Sequence, residues 1–106
     1  MWNSRRKQAP RAQAIFLAII DSPMKLARYV KFREEKFGGV LFETRSEKVY
    51  TLNPTATAVV REIQAGSAER DIPARLKQQF RDDGGAIERE AAAFLAELRQ
   101  KGLVED

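Results

Sequence analysis

Catalysis needs side chains that can move a proton, attack a carbon or hold a metal, and this chain is poor in the usual ones. Its 106 residues include no histidine and no cysteine. The first absence removes the commonest general base and transition-metal ligand. The second removes thiol nucleophiles, zinc–thiolate sites and disulfides, so no oxidising compartment is implied. Carboxylates, lysines, serines and tyrosines remain, and no cluster of them stands out. No catalytic, cofactor-binding or metal-binding residues are expected, so the chain reads as a non-enzyme.

The formal net charge is +4 and the sequence pI about 9.7, which admits acidic partners: nucleic acid, an anionic membrane surface or an acidic peptide. Arg5, Arg6, Lys7 and Arg11 carry much of the excess ahead of any clear element, so the rest is closer to neutral. The apolar run that follows, "AIFLAII", looks superficially like part of a secretory signal. Asp21-Ser22-Pro23 offers no small-x-small cleavage pattern, however, and a membrane span needs about 20 apolar residues. The expectation is a cytoplasmic protein with no membrane partner. Residues 1–23 form an N-terminal extension, a tail or a helix packed on the domain or on a second copy, and residues 24–106 form one domain.

The elements are marked by changes in hydrophobic rhythm. "RYVKFRE" from Arg28 to Glu34 alternates, with Val30 and Phe32 on one side, as a half-buried strand requires. Gly38-Gly39 supplies a turn before "VLFET", where Val40, Phe42 and Thr44 share a face. Arg45-Ser46-Glu47 then leads into "KVYTL", Lys48 to Leu52. Three short strands joined by tight turns predict an antiparallel meander. At Asn53-Pro54 the rhythm switches: Ala56, Val59, Val60 and Ile63 recur at helical spacing. Asn53 suits an N-cap, Pro54 the first helical position and Gly66 the left-handed ending. A second helix carries Ile72, Leu76 and Phe80 on one stripe, with Asp71 as its cap and Pro73 in its first turn. Asp82 to Gly85 is a loop. The third helix places Ile87, Ala91, Phe94, Leu95 and Leu98 on one side and ends at Gly102, with Leu103 folded back on Leu98. Strands first and helices after predict an α+β fold, a three-stranded antiparallel β-meander followed by three α-helices.

Strand-turn-strand-turn-strand, then "LNPTA" at Leu52 to Ala56, the Ile72, Leu76 and Phe80 stripe, and "FLAELRQKGLVE" from Phe94 to Glu105 resemble the PqqD-like family. These are small winged-helix-like domains, named for pyrroloquinoline quinone biosynthesis, that recognise precursor peptides in ribosomal peptide modification pathways. The resemblance spans roughly Met24 to Asp106, and "LNPTA" is its most specific piece. It implies a noncatalytic peptide chaperone with no cofactor. Such a protein binds the leader of a ribosomally made precursor peptide and presents the rest to a modifying enzyme, often a radical S-adenosylmethionine enzyme. It also implies that the leader adds as a strand along the third strand, here Lys48, Val49, Tyr50, Thr51 and Leu52, against the third helix.

A meander leaves its outer strands with unpaired N–H and C=O groups, and a peptide can satisfy one such row while pockets select its side chains. By helical spacing Leu95 flanks the core stripe, with Glu88, Ala92 and Arg99 just beyond it. Leu95 then holds a leader side chain and Arg99 an acidic one. The plainer alternatives are Leu95 and Tyr50 as core, Arg99 as a solvated charge favoured near a helix C-terminus, and Lys48 as a guard against unwanted edge pairing. The rival function is a winged-helix DNA-binding protein. Nucleic acid is disfavoured as a partner because Glu88, Glu90 and Glu97 sit beside Arg89, Arg99 and Lys101 on the third helix, which leaves no positive face for phosphates. A homodimer is a further candidate assembly.

Overall fold

The computed structural model describes residues 23–81 and 84–105. The expectations for the N-terminal extension, for Asp82 and Asp83 and for the terminal Asp106 fall outside these residues. The first elements are a two-residue strand β1 (Lys25–Leu26), then β2 (Val30–Glu35), β3 (Gly38–Glu43) and β4 (Lys48–Leu52). The last three form one antiparallel sheet in the order β2-β3-β4. In register, Phe32 faces Leu41 and Leu41 faces Tyr50 across the strands. Pleating sends alternate side chains to opposite faces, so Val30, Phe32, Leu41, Tyr50 and Leu52 share the face that packs on the helices. Leu41 is fully buried there. Val40, Phe42 and Thr44 do share a face, but it is the outer one, and Phe42 and Val49 are exposed on it.

Asn53 ends β4 and begins the helix α1 (Pro54–Gln64), and its side-chain oxygen accepts from Ala56 N–H at 2.8 Å, with Pro54 in the first turn. Pro54 loses nothing by lacking an N–H at a position where no intrahelical bond is made. The helix ends as Gly66 adopts φ +89°, and Gly66 and Ser67 donate to the Ile63 and Glu62 carbonyls. α1 lies against β3, and the two elements meet closely at Gly39, where a Cβ would come within 2.9 Å of Thr57 Oγ1. Only glycine fits that approach without displacing a neighbour.

A short 3-10 turn (Glu69–Asp71) precedes α2 (Ile72–Phe80), and α3 (Ala86–Gln100) follows. Asp71 does not cap α2 through its side chain. The 3-10 turn already holds it at helical angles, φ −87° and ψ −16°, whereas a capping side chain needs an extended backbone to fold back. Ile72 and Leu76 are fully buried, but Phe80, at the far end of the predicted stripe, is 40% exposed. α3 ends as expected: Gly102 takes φ +71°, and the Gly102 and Leu103 amides donate to the Arg99 and Leu98 carbonyls at 3.1 and 2.9 Å. This is the paired hydrogen-bond pattern that turns a chain sharply off a helix. Leu103 is thereby buried.

The chain then forms β5 (Val104–Glu105), which pairs antiparallel with β1. Two-residue strands leave no periodic trace, and sequence reading missed both. The core is continuous from Met24 and Leu41 through Val59, Val60 and Ile63 to Ile72, Leu76, Leu98 and Leu103. Among the described residues no helix is long and apolar enough to cross a membrane.

Candidate functional site

Which backbone groups of the sheet are left open follows from hydrogen-bond parity. In an antiparallel pair, facing residues alternate between pairs that bond one another and pairs that do not. Thr44 N–H donates to the Tyr29 carbonyl at 2.8 Å. Continuing the β2–β3 register, Lys31 with Phe42 and Arg33 with Val40 are bonded pairs. The intervening β3 residues Gly39, Leu41 and Glu43 therefore turn their N–H and C=O groups towards β4. There they meet Leu52, Tyr50 and Lys48. The N–H and C=O groups of Val49 and Thr51 consequently point away from the sheet, along the margin that no other described strand pairs.

A cleft of about 320 Å³ lies along that margin, lined by Tyr50, Thr51 and Leu52 of β4 and by one flank of α3. Leu41, Leu52, Ala56 and Leu98 form its apolar floor, and Glu90, Ala93, Phe94, Glu97 and Lys101 its helical wall. Asn53 joins the two sides. While its oxygen caps α1, its Nδ2 donates to Glu90 Oε2 at 3.0 Å, tying the end of β4 to the wall. Glu97 and Lys101, one turn apart, approach to 3.7 Å. Along the strand Lys48 and Val49 are exposed and continue the same margin.

The structure therefore brings Tyr50, Thr51 and Leu52 to one cleft, and does not bring the four helix residues chosen from sequence to it. Leu95 is 3% exposed and belongs to the core. Glu88 faces Lys77 of α2 at 3.6 Å. Arg99 holds the Glu69 carboxylate with two nitrogens, Nε at 3.1 Å and Nη2 at 2.5 Å from Oε1. Ala92 is exposed and does not line the cleft. At 3.6 residues per turn the core stripe of a helix has two flanks, and these residues occupy the one turned to α2 and the 3-10 turn. The wall residues occupy the other. Glu90, Ala93, Phe94, Glu97 and Lys101 carry a readable signal only in Phe94, a large apolar side chain at the edge of the stripe.

Together these features define a small α+β domain whose sheet, among the described residues, is open at one margin beside a helix-walled cleft. The chain belongs to the PqqD family, coenzyme PQQ synthesis protein D, whose model matches residues 38–104. A lasso peptide synthetase B1, solved in complex with the leader peptide, superposes with a TM-score of 0.67 at 24% identity, over 80% of this chain and 100% of that one. TbiB1, solved with the TbiA(beta) leader peptide, gives 0.66 at 20% identity, over 76% and 94%. SuiB of Streptococcus suis, bound to S-adenosylmethionine, matches at 0.45 and 18% identity over 72% of this chain and 21% of its own. Comparison with curated proteins gave no match.

Proposed function

We propose that this protein is a peptide-recognition module. In this reading it binds the leader of a ribosomally made precursor peptide as an added strand on β4 and presents the remainder to a separate modifying enzyme. The observation that carries the reading is the open backbone row of Val49 and Thr51 beside a cleft of a few side chains' volume. Main-chain bonds to such a row supply affinity that ignores sequence, and the cleft supplies selection. Membership of the PqqD family and the likeness in fold to two proteins solved with leader peptides support the same reading. The module itself contributes no chemistry to the peptide, and the partner enzyme, of the radical S-adenosylmethionine class or another, supplies it. DNA binding draws less support, because Arg75 and Lys77 of α2 are engaged by Glu62 and Glu88, and the cleft flank of α3 presents two glutamates.

Selection of a displayed library of random 12-residue peptides tests the reading. Binders should slow amide hydrogen exchange at Val49 and Thr51, and Thr51→Pro should abolish their binding while the domain stays folded. Binders that protect other amides and tolerate Thr51→Pro would place the peptide site elsewhere.

A further inference from the structure

Three charged side chains line the cleft, and they are not equivalent. Glu97 lies 3.7 Å from Lys101, so these two charges offset one another. Glu90 has a neutral partner: Asn53 Nδ2 donates to its Oε2 at 3.0 Å, and among the described residues no cation pairs with it. Asn53 is itself fixed, because its Oδ1 accepts from Ala56 N–H. The Glu90 carboxylate is thus held at the Leu52 end of the cleft with a charge that its surroundings leave unneutralised.

A strand laid along β4 alternates its side chains, so every second one enters the cleft over Leu41, Leu52 and Phe94. We propose that Glu90 is a specificity-determining residue of this cleft. It selects peptides that carry lysine or arginine at the Leu52 end, next to an apolar side chain that fills the floor. The proposal rests on the peptide-binding reading of the cleft and adds the charge of the ligand.

The physical ground is the asymmetry of burying a charge. A peptide that covers Glu90 without supplying a cation strips water from an unpaired carboxylate, and that loss exceeds what a matched pair would gain. An acidic side chain at the same place meets a like charge. A lysine or arginine finds an acceptor already oriented: Oε1 makes no bond to Asn53, and Oε2 keeps a second lone pair. Holding Glu90 in place before the peptide arrives reduces the ordering cost of the new pair.

The same displayed library, selected in parallel on the wild type, Glu90→Gln and Glu90→Lys, tests this. Glu90 is exposed on α3, so neither substitution disturbs the core. Binders of the wild type that depend on Thr51 should carry lysine or arginine at one fixed offset from an apolar residue. Against Glu90→Gln that enrichment should disappear, and the same peptides should bind roughly fivefold more weakly. Against Glu90→Lys, aspartate or glutamate should take the same position. Thr51-dependent binders with no preference for a cation, or with one that survives Glu90→Gln, would overturn the proposal and leave peptide binding standing. A library that yields no Thr51-dependent binder would overturn both.

Discussion

Glu62 is a carboxylate inside α1 that is only 6% exposed, held by Ser67 Oγ and Arg75 Nε, each at 2.6 Å from its Oε1. Burial by itself pushes its carboxyl up. The hydrogen bonds from Ser67 and Arg75, with the charges of Arg75 and Arg61, outweigh burial and hold the group below its ordinary 4.5. A group depressed in this way binds fewer protons folded than unfolded, so its contribution is complete above that ordinary value and falls away as pH drops through the folded one. Stability against urea should therefore decline on acidification below pH 4.5. Glu62→Gln, which keeps the shape and an acceptor oxygen, should flatten part of that decline; identical pH profiles for the two proteins would count against Glu62 as a source. Asn53 makes the complementary point about legibility. Its capping oxygen was readable from "NPT", because a cap depends on neighbours in the chain. The bond from its nitrogen to Glu90, 37 residues away, was not.

The strands and helices were legible because each buries one face, and burial at a period of 2 or 3.6 residues leaves a pattern. Legibility failed where an element was too short or a stripe ran past its cover, as with β1, β5 and Phe80. At this scale the parity of β4 makes a sharp prediction. Tyr50 N–H lies in the ladder with Leu41, and Thr51 N–H lies on the open margin. Tyr50→Pro should cost about 1–3 kcal/mol by removing an inner ladder bond and leaving its acceptor unpaired, whereas Thr51→Pro should cost much less, since an edge strand tolerates proline where its N–H faces outward. Urea unfolding of the two variants measures the difference. A larger loss for Thr51→Pro than for Tyr50→Pro would mean that the open row belongs to Lys48, Tyr50 and Leu52 instead.

Across the whole molecule, the segments at either end of the described chain close the fold. β1 pairs with β5, Ala27 N–H donates to the Leu103 carbonyl at 2.9 Å, and Tyr29 Oη donates to the Gly102 carbonyl at 2.7 Å. Leu103 and Val104 bury their side chains at 2% and 9% exposure. Truncation after Gly102 should remove about 3–6 kcal/mol, from two apolar side chains at about 1.5–3 kcal/mol each. That is a large part of the stability of a domain this size, so the thermal transition should fall or lose its cooperativity. An unchanged melting curve would show the ribbon to be ornamental. That β4 borders the cleft was implied by the family resemblance; the sequence alone determined the order of the three main strands and three helices, the cap at Asn53 and the ending at Gly102. Each of these depends on residues near one another in the chain. It did not determine which flank of α3 faces that strand, because a helix's core stripe has two flanks with equal claim. Only the direction in which α1 and α2 carry the chain across the sheet decided that Glu90, Phe94 and Glu97 meet β4 while Glu88 and Arg99 turn to Lys77 and Glu69.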